Sequence, residues 1–454
     1  MDTPARTSPD FLAQSVIYQM FLRPFTPEGT LERATRLLPH LADTGVDFVY
    51  LCPIVEADDS PSLRYWSERQ KISGFNNPRN PYRVKDYYKI DPEYGTDADF
   101  RAFVEQAHAL DIRVMLDLVY GHCGPKCNLI EEHPDFIQRR PNGSIRYTSY
   151  HFPYINFESR AAREYFMGNM EYFVREFGVD GYRTDMERVV PIDFWEEARD
   201  RLERIRPDIV MLAESDRREC QLKAYNLNYG VKWGWILRHE IFELGESAAK
   251  LRDYVCGTEL SSYPPGARFI RMMNNHDWAN DHENPENSIG GEAVEAILAV
   301  IFAVDGVPFL YNGVEIADDH RHSIYSNRDF GGLAINWANA LTRKGINRLQ
   351  FVKQLVALRR STPPLIYGNT VWLDHDQPDN IIAFAREYRD KRIVFAVNTR
   401  NRAIKVNIKE VTPKRFTTIL ERGVSCATSG KTMQLSLEPY GLLIGNCFRT
   451  TKGR

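Results

Sequence analysis

The sequence predicts an α/β fold: a (β/α)8 TIM barrel with a small inserted domain after strand 3 and a C-terminal antiparallel β-domain. Two observations predict the barrel. About eight apolar runs alternate with segments of helical period, and polar side chains follow several of these runs where they stop. Uninterrupted apolar strands are typical of a parallel sheet covered by helices, and the residues that follow the strands of a barrel line one shared mouth.

The first half of the chain supplies four predicted strands, at residues 15–21, 46–51, 113–119 and 179–185. Between them, apolar side chains recur with the period of an amphipathic helix. The first helical segment ends before Gly45, a residue that favours the left-handed conformation found at helix ends. The next begins after Thr96, whose hydroxyl can cap a helix.

The second half continues the alternation. Strands are predicted at 209–213, 229–235, 268–273 and 307–311, and 229–235 has the weakest pattern of the four. Helices are predicted at 194–205 and 293–304. The complete set matches the eight βα units of a closed barrel.

Two segments interrupt this rhythm. Residues 122–160 are polar and rich in Pro, Gly and Tyr, and they are too long for a simple loop, so they predict a small inserted domain. From about residue 363, strand-like runs replace the helical period, which predicts a β-sandwich domain over 363–454. The catalytic barrel would then comprise residues 1–121 and 161–362.

Composition excludes several classes of partner. The chain has 454 residues and a net charge of −3 without a long basic run, which argues against nucleic acid. No apolar run reaches transmembrane length and no secretory signal is visible, so no membrane association is expected. Seven cysteines without framework spacing predict a cytoplasmic protein, with Cys123 and Cys127 as unpaired thiols, although a removed signal peptide would give the same sequence. The oligomeric state stays open.

Three isolated carboxylates, Asp185, Glu214 and Asp277, follow successive predicted strands. Cleavage of a glycosidic bond with retention needs a nucleophile and a general acid about 5–5.5 Å apart. Asp185 and Glu214 end adjacent strands, so they can face each other across a sugar. Arg183, on the same side of the strand as Asp185, would keep that carboxylate ionised. The apolar run before Glu214 would raise the pKa of its carboxyl, as an acid catalyst requires.

Two histidines, His122 and His276, lie at strand ends of the same set and can donate hydrogen bonds to sugar hydroxyls. Each of these residues also has an ordinary alternative. An aspartate at a strand end is often a helix cap, a histidine near a core is usually only hydrogen-bonded, and Arg–Asp pairs are common on surfaces. The joint order and spacing of the residues favour a shared catalytic site.

Four stretches resemble the sequence regions of the α-amylase family of glycoside hydrolases (glycoside hydrolase family thirteen). They are DLVYGH at 117–122, GYRTD at 181–185, MLAES at 211–215 and NHD at 275–277. Residues 84–96 and 306–315 are similar to further stretches of the family, around its third and eighth strands. The resemblance runs from about residue 15 to residue 311, and the inserted and C-terminal domains also fit it.

The resemblance implies a role for each candidate residue. Asp185 would be the nucleophile, Glu214 the general acid/base and Asp277 the stabiliser of the transition state. Four residues would bind the reacting sugar or orient the nucleophile: Tyr82, His122, Arg183 and His276. For Tyr82, which would stack under that sugar, plain core packing is the alternative.

The sequence also departs from the family. Gly121 stands where many members have an asparagine that binds calcium, and Met-Glu-Arg-Val after Asp185 replaces a frequent Lys-His pair. The sequence therefore predicts no metal site and no cofactor, with calcium left as an open alternative. The tract DDHRH at 318–322 is interpreted as a solvated loop rather than a metal site.

We therefore expect a retaining glycoside hydrolase that cleaves the α-glucosidic bonds of maltooligosaccharides or related α-glucans through a glycosyl-enzyme intermediate. The main alternative is a transglycosylase or isomerase of the same family, of a trehalose-synthase-like or sucrose-acting kind. A remote alternative is a non-catalytic carbohydrate-binding homologue. Endo or exo action and the preference for α-1,4 or α-1,6 bonds stay open.

Overall fold

The computed structural model describes residues 2–409, 411, 416–429 and 432–447. The first residue of the predicted barrel and the last seven of the predicted C-terminal domain lie outside the described residues, as do 410, 412–415, 430 and 431. Among the described helices, none combines the length and the apolar character needed to cross a bilayer.

Sixteen strands are numbered here in chain order. They are β1 (Ile17–Met20), β2 (Phe48–Leu51), β3 (Val55–Ala57), β4 (Val84–Ile90), β5 (Arg113–Leu118), β6 (Gly181–Thr184), β7 (Val210–Ala213), β8 (Leu227–Asn228), β9 (Ile270–Arg271), β10 (Val307–Tyr311), β11 (Asn369–Trp372), β12 (Ile381–Tyr388), β13 (Lys391–Asn398), β14 (Ile404–Ile408), β15 (Phe416–Ser429) and β16 (Thr432–Cys447).

Eight of these strands form the barrel. They are parallel, in the order β8-β7-β6-β5-β2-β1-β10-β9. A parallel bridge between Asn228 and Phe269 joins the two ends of this order and closes the barrel. The predicted (β/α)8 fold is confirmed. The strand residues are almost all fully buried, because helices cover the outside of the barrel and side chains fill its interior.

The helices follow the predicted rhythm, with extra short turns in the loops. Their bounds are Leu22–Phe25, Leu31–Thr35, Leu38–Thr44, Glu68–Ile72, Asp97–Ala109, Leu129–Glu132, Arg160–Phe177, Ile192–Ile205, Val231–Trp235, Ala249–Tyr254, Leu260–Ser262, His276–Asp281, Pro285–Ser288, Gly291–Ala303, Arg343–Ser361 and Pro363–Tyr367, with π-helical turns at Ile236–Glu243 and Val255–Glu259.

Both predicted helix ends are confirmed. Gly45 ends its helix in the left-handed region, with a φ of 92°. Thr96 forms a capping box with Asp99: its hydroxyl accepts from the Asp99 N–H, and the Asp99 carboxylate accepts from the Thr96 N–H. The helix Gly291–Ala303 is buried on nearly its whole surface, because it lies between the barrel and the C-terminal sheet.

The strand predicted at 229–235 is wrong. The sixth barrel strand is β8, only two residues long, and a helix runs over Val231–Trp235. The aromatic residues suggested a strand, but Gly230 packs so closely on strand β9 that a Cβ there would lie 2.5 Å from the Ile270 carbonyl oxygen. The chain turns at this point into a helix, whose Trp233 ring packs under the Arg271 guanidinium.

Two smaller units adjoin the barrel. Isolated antiparallel bridges hold the inserted segment together, among them His122 with Tyr154 and Ile137 with Ile155. At the C-terminus, β11–β16 form an antiparallel sheet in which β16 pairs with β13, β14 and β15. The antiparallel C-terminal unit is confirmed, while the exact domain limits and the description as a sandwich stay predictions.

Candidate active site

The predicted acids lie at one mouth of the barrel. Asp185 follows β6, Glu214 follows β7, and Asp277 lies in the first turn of the helix after β9. All three line one cleft of about 860 Å³, together with Tyr82 and His122. Parallel strands bring their carboxyl ends to the same face of the barrel, which is why residues almost a hundred positions apart share one cavity.

Arg183 lies beneath the acids and is fully buried. Its Nη1 is 2.6 Å from an oxygen of Asp117 and 3.1 Å from one of Asp185. Its Nη2 is 2.7 Å from an oxygen of Glu214. One guanidinium therefore contacts three carboxylates.

This sharing changes the expected protonation of Asp185. Burial raises the pKa of Asp185 well above its ordinary value, and the neighbouring Glu214 raises it further against the opposing effect of Arg183. Arg183 acts in the expected direction, since it lowers the pKa of Asp185, but the effect of burial is larger. The desolvation of a buried carboxylate outweighs a positive charge that two other carboxylates also use.

Glu214 has the environment of an acid. Burial raises the pKa of its carboxyl, and Asp277 adds to this effect while Arg183 opposes it. A raised pKa is the direction that the apolar strand before Glu214 predicts. The Met186 N–H donates a hydrogen bond to Glu214 Oε2 at 2.9 Å. Met186 adopts a left-handed backbone with a φ of 43°, which costs a non-glycine residue about 1–2 kcal/mol.

Asp277 has a cationic partner that the sequence did not reveal. Arg69 Nη2 lies 2.9 Å from Asp277 Oδ1, and Arg69 Nε lies 3.0 Å from Asp281 Oδ1. Burial alone would raise the pKa of Asp277, but His276 and Arg69 hold it below its ordinary value. Arg69 lies between β3 and β4, in a stretch without periodicity or motif, so no sequence pattern points to it.

A chain of hydrogen bonds fixes His276. The side-chain amide of Gln19 donates to His276 Nδ1 at 2.7 Å, so Nε2 carries the proton and faces Tyr82 Oη at 2.7 Å. Tyr82 in turn donates to Asp117 at 2.9 Å. The two rings are stacked, with centroids 5.1 Å apart. Burial lowers the pKa of His276, so the ring binds as a neutral donor.

His122 is also neutral. Its Nε2 lies 2.9 Å from the Tyr82 carbonyl oxygen, which can only accept, so this nitrogen carries the proton. The ring stacks on Phe152 of the inserted segment, with centroids 5.0 Å apart. Burial lowers the pKa of His122 to about 4. The inserted segment therefore supports the side of the cleft that His122 lines.

The residues do not fit the calcium site of many family members. At Gly121, a Cβ would lie 3.1 Å from the apolar Val189 side chain. Within the described ranges, no group of three or more His, Cys, Asp and Glu side chains is arranged to hold a metal ion. The expectation of a solvated loop at 318–322 is wrong for two residues, because Asp318 and His322 are buried and their side chains lie 3.0 Å apart.

Comparison with known proteins gives two family matches. The model of the α-amylase catalytic domain matches residues 5–141, and the model of the maltogenic amylase C-terminal domain matches residues 372–444. Over these two segments the chain is similar to the α-amylase family of glycoside hydrolases. The match to the second model explains why an antiparallel sheet follows the barrel.

The relatives that this chain resembles are α-glucan enzymes by name. A cyclomaltodextrinase of Geobacillus thermopakistaniensis is 25% identical, over 96% of this chain and 77% of the relative. An intracellular maltogenic amylase of Bacillus subtilis is 24% identical, over 84% of this chain, which spans 64% of that relative's length. The solved structure of a maltogenic α-amylase of Thermotoga neapolitana superposes with a TM-score of 0.81 at 22% identity, covering 96% of this chain and all of that one.

Proposed function

We propose that this enzyme is a retaining α-glucan hydrolase, with Asp185 as nucleophile, Glu214 as general acid/base and Asp277 as stabiliser of the transition state. The observation that carries the proposal is the contact of one buried guanidinium with both Asp185 and Glu214 beside a single cleft. That contact brings the two carboxyls close together at the cleft, and retention requires a nucleophile and a general acid about 5–5.5 Å apart.

In the first step, the carboxylate of Asp185 attacks the anomeric carbon while Glu214 gives its proton to the glycosidic oxygen. The bond to the leaving sugar breaks, and a glycosyl ester forms on Asp185. In the second step, the deprotonated Glu214 takes a proton from water, which attacks the same carbon and releases the sugar. Asp277, whose carboxylate is paired with Arg69, balances the positive charge that develops on the ring in both steps.

Two neutral histidines complete the proposed subsite. The proton of His122 lies on Nε2, so its Nδ1 can accept a hydrogen bond from a hydroxyl of the reacting sugar. His276 would bind a hydroxyl by sharing the Nε2–H that it directs at Tyr82, and neither ring adds a positive charge beside the oxocarbenium. The Tyr82 ring, which lines the cleft, offers an apolar face to the sugar ring.

The test is the loss of the nucleophile. Asp185→Asn should lower kcat/KM on maltohexaose by about 10³-fold or more, because no ester can form. Asp193→Asn, which changes an exposed aspartate outside the cleft, is the matched control and should keep wild-type rates. A 2-deoxy-2-fluoroglucosyl fluoride should also add one fluoroglucosyl unit to Asp185, seen by mass spectrometry. Wild-type rates for Asp185→Asn, or a product of inverted anomeric configuration, would contradict the proposal.

Transfer to a sugar acceptor is the second candidate. It is favoured by the aromatic side chains of Trp235, Tyr254 and Tyr263, which line the same cleft and can hold a sugar in place of water. Product analysis with maltose, maltotetraose, sucrose and trehalose separates the two. Products longer than the substrate, or isomers of it, would identify transfer.

We further propose a maltooligosaccharide substrate and a cytoplasmic location. The names of the relatives support the substrate class, and the intracellular maltogenic amylase supports the location. Fractionation of cells that express the natural gene would test the location, with activity in the periplasm or medium as the contrary result.

A further inference from the structure

Three loops are tied together on the side of the cleft next to Asp277, and we call residues 67–69, 277–281 and 323–325 the wall. Arg69 bridges Asp277 and Asp281, as described above. Ser67 Oγ and Tyr325 Oη are 3.3 Å apart, and Ser323 Oγ donates to Asn280 Oδ1 at 2.7 Å. Each loop is therefore joined to another by side-chain contacts, and the wall is a fixed boundary.

The cleft is open on the other side. Beyond Glu214, its lining continues along Ser215 and Asp216 to Tyr263 and Phe269. Tyr263 donates to the Asp216 carbonyl oxygen at 3.1 Å, so this part is also ordered. The cavity thus extends away from the wall, past the acid.

The acid fixes the direction of the substrate. Glu214 must protonate the oxygen of the leaving group, so the leaving part of the chain lies beside Glu214 and in the open part of the cleft. The retained sugar lies between Asp185 and Asp277. A sugar attached to its non-reducing end would lie on the side of the wall, where Arg69 and Tyr325 line the cleft.

We infer that the enzyme removes one glucosyl unit at a time from the non-reducing end of an α-glucan, with Arg69 as the residue that limits the retained part to one sugar. This inference rests on the proposed hydrolase function. Two nitrogens of Arg69, Nε and Nη2, bind the wall carboxylates, and its side chain is 31% exposed. The guanidinium therefore faces the cleft and can donate to a hydroxyl of the terminal sugar.

The first test is the identity of the first products. Maltohexaose labelled at its reducing end should give unlabelled glucose and labelled maltopentaose before any other product. Maltohexaose whose terminal sugar carries an ethylidene block on O4 and O6 should react about 100-fold more slowly or worse, because the block meets the wall. Unlabelled maltose or maltotriose as the first product, or equal rates on blocked and free substrate, would overturn the inference.

The second test removes the Arg69 side chain from the wall. Arg69→Ala should raise the ratio of kcat/KM on blocked maltohexaose to kcat/KM on free maltohexaose by about tenfold or more. Loss of Arg69 also affects Asp277, but that effect changes both rates alike and leaves the ratio unaffected. Arg69→Lys keeps the charge and should keep a ratio near that of the wild type. Lys71→Ala is the matched control, since Lys71 lies on the same short helix and pairs with the exposed Glu68. An unchanged ratio in Arg69→Ala would show that Arg69 sets no limit.

These outcomes are distinct from a failure of the proposed function. If no α-glucan is cleaved, the hydrolase proposal fails. If maltohexaose is cleaved at internal bonds by an enzyme that needs Asp185, the hydrolase proposal stands and the inference about the wall fails.

Discussion

Replacing Asp185 with asparagine should stabilise the folded protein at neutral pH while it removes activity. The folded state raises the pKa of this carboxyl above that of the unfolded chain. Between those two pKa values the folded state binds the proton more tightly, so the stability that Asp185 contributes is complete at low pH and is lost as pH rises. Asparagine carries no charge at any of these pH values and avoids that loss.

The size of the gain has an upper limit. Each unit of raised pKa costs about 1.4 kcal/mol once the group is ionised, and unfolded aspartate titrates near about 3.9, so at pH 7 the cost cannot exceed about 4 kcal/mol. Loss of the charged hydrogen bond from Arg183 offsets part of this, by about 1–2 kcal/mol. Arg183 keeps Asp117 and Glu214 as partners, so it is not left unpaired. We expect a net gain of about 1–3 kcal/mol at pH 7.

Asp277→Asn is the matched control, and its effect on the stability of the fold should have the opposite sign. The folded state lowers the pKa of Asp277, so its contribution to stability is present above the ordinary pKa and is lost as pH falls. A third of this side chain is exposed, and water screens its pair with Arg69. The variant should therefore lose about 1 kcal/mol at pH 7.

Thermal unfolding of the two variants and the wild type at pH 7 and near pH 4 measures these differences. A kcal/mol shifts Tm by about 2–4 °C in a domain of this order of size. The gain of Asp185→Asn should be nearly gone near pH 4, where the folded carboxyl is protonated and the unfolded one is about half protonated. A variant that is less stable than the wild type at pH 7, or a gain that does not depend on pH, would refute the reasoning.

Three further predictions follow from single contacts. A chelator should leave activity and Tm unchanged, and a large loss of either would restore a calcium site. Tyr82→Phe should lower kcat/KM by about tenfold to a hundredfold, because it loses hydrogen bonds at 2.9 Å and 2.7 Å but keeps the ring; wild-type kinetics would contradict this. Gly345→Ala should destabilise the fold by about 1–3 kcal/mol in denaturant unfolding, because its Cβ would lie 1.9 Å from the Asn339 carbonyl oxygen. Gly257→Ala, which meets nothing within 4 Å, should be nearly neutral.

The barrel could be predicted from the sequence because its strands are buried on both faces and read as continuous apolar runs. The longer strands, such as β5 and β10, fit this rule. The sixth strand did not, because closure of the barrel needs only Leu227 and Asn228 there. Two residues are too few to give a pattern, and the aromatic residues that follow them belong to a helix.

The candidate site, like the barrel, could be predicted only in part from the sequence. Residues at strand ends were predictable, because the strand fixes both their position and their direction. Arg69 was not, because it reaches Asp277 from a loop more than 200 residues earlier, and only the folded chain brings them together. The raised pKa of Asp185 was also out of reach, since it depends first on how the folded chain buries the carboxyl and then on the neighbouring Arg183 and Glu214.

The hydrogen bond from Met186 has a consequence for any attempt to redesign this enzyme. The donor is a main-chain N–H on the residue next to Asp185, so the orientation of Glu214 depends on the path of the chain and not on which side chain occupies position 186. A library at that position can change the floor of the cleft while Glu214 keeps its orientation, provided that the new residue tolerates a positive φ, as glycine and asparagine do. β-branched residues are disfavoured there, and proline is barred because it has no N–H and its ring cannot adopt a positive φ.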